Sequence, residues 1–176
     1  STSLVNEISD LINATERGIL VIGSLPNSIC KKSIKEFITN LNWPMHLDVS
    51  SSLKYDYCLE DNIIPTFDHP EVFEELSKNV PKTIIHLGGR TTSKNYYRFL
   101  EENEDINLIS VNWSENKEDP SQLTDIRIVS HVDQFCEQLK DLTKSNSQII
   151  KNDWIDFVKR KINIIDNSPL CYPIIS

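Results

Sequence analysis

Glycine is scarce in this chain: four residues in 176, at Gly18, Gly23, Gly88 and Gly89. A dinucleotide fingerprint, G-x-G-x-x-G, uses three glycines for a tight turn, for backbone contact with a pyrophosphate and for helix–strand packing. No such triple exists here, and the loop after the first apolar run, Gly23-Ser24-Leu25-Pro26-Asn27-Ser28, offers one glycine and then a proline. A nicotinamide dehydrogenase of that type is excluded, and so is a P-loop hydrolase, because G-x-x-x-x-G-K-[ST] does not occur. Positive charge is also short. The 18 Lys+Arg against 26 Asp+Glu leave a net charge of -8, which opposes binding to phosphate backbones or anionic lipid. Neither nucleic acid nor a membrane is an expected partner. No apolar run approaches the ~20 residues of a membrane span, and Ser1-Thr2-Ser3-Leu4 lacks the regions of a signal peptide. The chain reads as soluble and cytoplasmic.

Grouped ligands and nucleophiles are missing as well. Cys30, Cys58, Cys136 and Cys171 lie far apart, with no C-x-x-C pair. His46, His69, His86 and His131 show no spacing that completes a zinc site, so the cysteines read as reduced thiols and no metal ligand is assigned. There is no G-x-S-x-G elbow and no cysteine with a histidine partner in sequence. No catalytic residue can be named on spacing. His86, inside the apolar run TIIHL, reads as a satisfied core or interface histidine, and Trp43, Trp113 and Trp154 read as packing residues.

What is present is an alternation of strand-length apolar runs with segments of helical period, the signature of βαβ units and a mostly parallel sheet. The strand candidates are Gly18–Gly23, Met45–Val49, Thr83–Leu87, Asn107–Val111 and Ile126–Val129, several apolar on successive residues, as strands covered on both faces are. Cys30, Ile34, Phe37 and Leu41 form one helical stripe. Asp68 before Pro70 and Glu71 predicts a capped helix start, and Ser130 with Asp133 predicts another. A short helix over 4–13 leads in. We expect a Rossmann-like doubly wound α/β domain of five to six strands over 1–144, and a linker over 145–149. A helix and tail over 150–176 are expected to lead toward a missing C-terminal cofactor-binding domain.

The stretch Thr83 to Leu100, TIIHLGGRTTSKNYYRFL, is the strongest site candidate. Gly88 and Gly89 permit positive φ and close approach, Thr91, Thr92 or Ser93 can cap the following helix, and N–H groups at a helix start attract anions. Arg90, Ser93 and Lys94 are therefore a candidate anion or regulatory site. The competing expectation is a tight strand-to-helix turn whose basic residues pair with Glu101, Glu102 or a neighbouring domain.

The blocks RGILVIGSLP (Arg17 to Pro26), LNWPMHLDVSSSLK (Leu41 to Lys54), NIIPTFD (Asn62 to Asp68), IIHLGGRTTSKNYYRFL (Ile84 to Leu100) and EDPSQL (Glu118 to Leu123), in this order, resemble one family. It is the central domain of the MenD family, the thiamine-diphosphate-dependent 2-succinyl-5-enolpyruvyl-6-hydroxy-3-cyclohexene-1-carboxylate synthases of menaquinone and phylloquinone biosynthesis. The sequence departs from the family at Asn95-Tyr96-Tyr97, where a basic residue and a leucine are commoner. The resemblance implies a three-domain transferase, a homodimer or homotetramer, in which flanking N- and C-terminal domains hold thiamine diphosphate with Mg2+ or Mn2+. A G-D-G motif binds the metal and diphosphate in such enzymes, and it cannot be formed from these four glycines. No cofactor is therefore expected in this segment, which is expected to be inactive alone. The implied reaction decarboxylates 2-oxoglutarate and adds the succinyl unit to isochorismate. The alternative expectation is a free-standing module that binds a nucleotide or other anion at Gly88-Gly89-Arg90.

Overall fold

In a computed structural model, residues 2–54, 62–64, 66–114, 123–143, 154 and 156–160 are described. The elements in chain order are α1 (Thr2–Ala14), β1 (Gly18–Ile22), α2 (Lys31–Leu41), β2 (Met45–Leu47), β3 (Ile63–Ile64), α3 (Pro70–Lys78), β4 (Thr83–Leu87), α4 (Lys94–Glu102), β5 (Asn107–Asn112), β6 (Ile126–Val129) and α5 (Val132–Leu139). The strands form one sheet in the order β3-β2-β1-β4-β5-β6, and every pairing is parallel. This is the expected doubly wound α/β fold.

The unbroken apolar runs explain the layering. Successive side chains of a strand point to opposite faces, so a strand covered on both must be apolar at every position. In β1 and β4 all five residues are buried. Leu20, Ile22, Met45, Leu47, Ile85, Leu87, Ile109 and Val111 pack with α1, α2 and α5. On the other face Ile19, Val21, Ile64, Ile84 and Leu108 pack with α3, α4 and residues 154 and 158. The α2 stripe buries Ile34, Phe37, Ile38 and Leu41, and the helix stops at Asn42, whose φ of 50° is left-handed and whose N–H donates to the Ile38 carbonyl.

Several local expectations differ from what the chain does. The N-cap of α3 is His69, whose Nδ1 accepts from the Glu71 N–H at 3.3 Å; Asp68 turns instead toward α4. Ser130 does not cap α5, where His131 holds the N-cap position without a side-chain bond. Strand β2 ends at Leu47; the Asp48 N–H still donates to the Ile22 carbonyl at 3.0 Å, and the chain turns away after it. Strand β3 has only two residues, too few to show any period. Of the helix expected after residue 150, Trp154 and 156–160 are helical, and Trp154 is buried. The 145–149 linker and the tail beyond 160 lie outside the described residues.

Candidate functional site

In an open parallel sheet the ligand crevice lies beyond the carboxyl ends of the strands where their order reverses. Here that point lies between β1 and β4, and the loops that follow are Gly23-Ser24-Leu25-Pro26 and Gly88-Gly89-Arg90. The two loops are bonded directly to one another. Gly23 N–H donates to the Leu87 carbonyl at 3.0 Å and Gly89 N–H to the Ser24 carbonyl at 2.9 Å. A Cβ on Gly23 would lie 1.9 Å from the Gly89 oxygen, and one on Gly88, at φ +86°, would lie 2.5 Å from the Ser24 oxygen. The glycines therefore serve close approach of backbone to backbone.

The start of α4 is occupied by carboxylates of the protein itself. The Ser93 hydroxyl accepts from Tyr96 N–H at 3.2 Å and donates to Asp68 Oδ1 at 2.9 Å, while Asn95 N–H reaches the same Asp68 oxygen at 3.3 Å. One residue earlier, Thr92 gives Asp48 Oδ2 both its N–H at 2.7 Å and its hydroxyl at 2.9 Å. Asp48 also accepts from the N–H and hydroxyl of Ser50 on its other oxygen. Burial pushes the Asp48 carboxyl up, but the Ser50 and Thr92 donors more than offset this and hold it below the usual carboxylate range. Two carboxylates thus take up donors of this loop, Asp68 at the helix start and Asp48 at Thr92.

Of the three candidate residues, Ser93 is buried in this network, whereas Arg90 and Lys94 are exposed. The Arg90 guanidinium lies over the Tyr97 ring at 5.8 Å. Arg98 pairs with Glu102 at 2.7 Å and covers the Phe73 ring. Neither Asp48 nor Asp68 emerged from the sequence as a partner of this loop. They stand 44 and 25 residues from it, and only the sheet order brings them together.

Under α4, register partners across the sheet place His46, Val21, His86, Ser110 and Arg127 in one row. His86 is buried with both nitrogens bonded, Nε2 to the Gly89 carbonyl at 2.9 Å and Nδ1 to the Tyr96 hydroxyl at 3.0 Å. A carbonyl only accepts, so Nε2 carries the proton and Tyr96 donates to Nδ1. His86 is the satisfied histidine that its apolar run suggested. A cleft of about 40 Å³ beside it is lined by Tyr96, Tyr97, Ser110, Asn112 and Arg127, far smaller than the roughly 300 Å³ or more of a typical ligand pocket. Arg90, Ser93 and Lys94 do not line it. Among the described residues no three His, Cys, Asp or Glu side chains are placed to hold a metal ion, and no helix is long and apolar enough to cross a membrane.

Fold and site together define a doubly wound α/β domain whose switch-point loops are bonded to one another and whose polar groups there are held by internal hydrogen bonds. The chain belongs to the family described as the middle domain of thiamine pyrophosphate, whose model matches residues 5–165. It is similar to the 2-succinyl-5-enolpyruvyl-6-hydroxy-3-cyclohexene-1-carboxylate synthase of Syntrophus aciditrophicus, 28% identical over 135 residues, which cover 77% of this chain and 23% of that protein. It is also similar to the synthase of the same name from Bacillus cytotoxicus, 28% identical over 155 residues, covering 86% of this chain and 25% of that one. The chain thus spans about a quarter of the length of these relatives. A solved structure from Mycobacterium smegmatis, described as a thiamin diphosphate-dependent enzyme, shares the fold with a TM-score of 0.57 at 14% identity, over 85% of this chain and 29% of that one.

Proposed function

We propose that this chain is the central domain of a thiamine-diphosphate-dependent synthase that decarboxylates 2-oxoglutarate and adds the succinyl unit to isochorismate, in the cytoplasm, on the route to menaquinone or phylloquinone. The observation that carries the reading is the family match over residues 5–165, joined by relatives of one shared name. Thiamine diphosphate, with Mg2+ or Mn2+, belongs in this reading to the flanking domains of a homodimer or homotetramer. The role of the present residues is to form a rigid scaffold, for which a sheet buried on both faces and a self-bonded switch point are suited.

The test is an assay of the longer polypeptide that carries this segment for release of carbon dioxide from 2-oxoglutarate, dependent on added thiamine diphosphate and on isochorismate. Activity there, together with no calorimetric binding of thiamine diphosphate to the 176-residue chain, is the expected outcome. Binding of ADP or phosphate to the chain alone, removed by Arg90→Ala, would favour a free-standing anion-binding module instead.

A further inference from the structure

One titratable side chain is buried without a polar partner. His46, the middle residue of β2, is 4% exposed, and neither ring nitrogen makes a well-formed hydrogen bond. Its register partners are Ile64 on one side and Val21 on the other, both in the apolar cluster beneath α3 and α4. Phe67 stands edge-on to the imidazole at 5.3 Å and meets Tyr96 at 5.4 Å and Phe99 at 5.7 Å, so it is wedged between β2 and α4. The ionisable groups of the surrounding elements are engaged elsewhere. After β2, Asp48 gives its two oxygens to Ser50 and Thr92, and Lys54 donates to the Leu47 carbonyl. After β3, Asp68 accepts from Ser93 and Asn95, and His69 accepts from the Glu71 N–H. His86, two strands away, has both nitrogens bonded, and α3 and α4 bring Val72, Leu76, Tyr96 and Phe99. A neutral imidazole suits this slot; an imidazolium, with two N–H donors and no acceptor turned toward them, does not.

We propose that His46 makes the β3 edge a proton-operated flap: a proton taken up by the imidazole releases Ile63, Ile64 and Phe67 from the sheet while the rest of the domain stays folded. The release is local because little holds this edge. Strand β3 is outermost and pairs at two positions, Met45 with Ile63 and His46 with Ile64, whereas β1 and β4 pair at five. Around β3 the side-chain ties are Asn62 to Asn42 at 2.7 Å and Asp68 to the start of α4. Segments held by few backbone bonds open at lower free energy than strands buried on both faces. The sign follows from burial, which holds the closed imidazole below its ordinary value. The open form therefore binds more protons, and opening is favoured as pH falls below about 6.5. The flap is tied to α4 as well. When Phe67 leaves, Asp68 goes with it, and the Ser93 hydroxyl and Asn95 N–H lose the acceptor they share.

Residue-resolved amide hydrogen exchange of the 176-residue chain between pH 6.5 and pH 5, with rates corrected for intrinsic exchange, decides the matter. An open-state pKa of about 6.5 and a closed ring that stays neutral set an upper limit of about sixteenfold on the rise in opening over this range. The expected result is at least a fivefold fall in the protection factors of Ile63, Ile64 and Asn95, with those of Ile84 and Ile85 in β4 unchanged within twofold. His46→Leu and His46→Gln, which do not titrate here, should each hold the Ile63 and Ile64 values within twofold across the range. Two variants are used because leucine fills the slot and glutamine keeps its polarity, so that a folding defect in one leaves the other to report. A fall of less than fivefold in the parent overturns the proposal, since the closed slot then accepts the proton. A parallel fall at Ile84 and Ile85 overturns it too, because the charge would then unfold the whole sheet. The parent's fall persisting in His46→Gln assigns the opening to another group and likewise removes the proposal.

Discussion

The indole Nε1 of Trp154 donates a 3.0 Å hydrogen bond to the carbonyl oxygen of Gly18, the first residue of β1. The ring is 5% exposed and stacks on Phe157 at 5.7 Å, within the cluster that holds Ile19 and Val21. The helical residues after 150 are therefore part of the sheet's own core.

Trp154→Phe keeps most of the ring and leaves the Gly18 carbonyl buried without its donor, which should cost about 1–3 kcal/mol. Trp154→Ala adds a cavity and should cost about 3–5 kcal/mol. Urea unfolding followed by far-ultraviolet circular dichroism, with the m-value unchanged, measures both. A loss under about 1 kcal/mol for the alanine variant would show that this segment does not hold the core together.

Gly23→Ala and Gly88→Ala should each destabilise the domain by about 1–3 kcal/mol, because the atoms a new Cβ meets are backbone oxygens of the facing loop and cannot step aside. The Gly88 substitution adds the strain of φ +86°. Thermal unfolding of the two variants checks this. A Gly23→Ala variant as stable as the parent would mean that the β1 and β4 loops are free to separate.

The fold can be read from the sequence because a two-sided parallel sheet writes itself as unbroken apolar runs, and TIIHL and NLISV are such runs. Helix stripes such as Ile34, Phe37 and Leu41 carried equal information. The caps were less legible, since Asp68 before Pro70 fits a local capping rule, whereas the structure sends its carboxylate across to Ser93 and Asn95. A one-dimensional rule ranks only neighbours in sequence, and these partners meet through the sheet order. Strand β3 was missed for a different reason, because two residues cannot show alternation.

Asp48→Asn should loosen the junction of β2 with α4 and cost about 1–3 kcal/mol, since an amide accepts fewer of the four N–H and O–H donors that now converge on the carboxylate. The folded carboxyl titrates below its unfolded value. Its contribution is therefore present above about pH 4 and is lost as pH falls through the folded pKa. The stability difference between parent and Asp48→Asn should shrink between pH 4 and pH 2. A difference that stays constant over that range would remove the charge-assisted part of the argument.

Cys30 and Cys136 should differ sharply toward thiol reagents. Cys30 is exposed at the start of α2, where the backbone N–H groups of Ser33 and Lys32 hold its thiol below the ordinary value; burial pushes Cys136 well above it. In a Cys58→Ser, Cys171→Ser background, an aromatic disulfide reagent at pH 7 should modify one thiol quickly and the second only on unfolding. Cys30→Ser should abolish the fast phase. Two fast phases would place Cys136 outside the core.

His46 contributes to the pH dependence on the acid side of neutrality. Its ring is 4% exposed, lies edge-on to Phe67 at 5.3 Å, and has neither nitrogen in a well-formed hydrogen bond. Burial pushes the imidazole below its ordinary value, more than the Ile64 backbone and the charges of Asp48 and Asp68 pull it up, and Lys54 pushes it down further. An unfolded histidine takes a proton near pH 6.5, so the unfolded state binds more protons below that pH and stability falls, by at most about 1.4 kcal/mol per unit, until the folded pKa is reached. His46→Leu should flatten this slope between pH 6.5 and pH 5 relative to the parent, read from urea midpoints at half-unit steps. Equal slopes in the two proteins would show that the buried imidazole is charged in the folded state, against the apolar setting that Phe67 and Val21 give it.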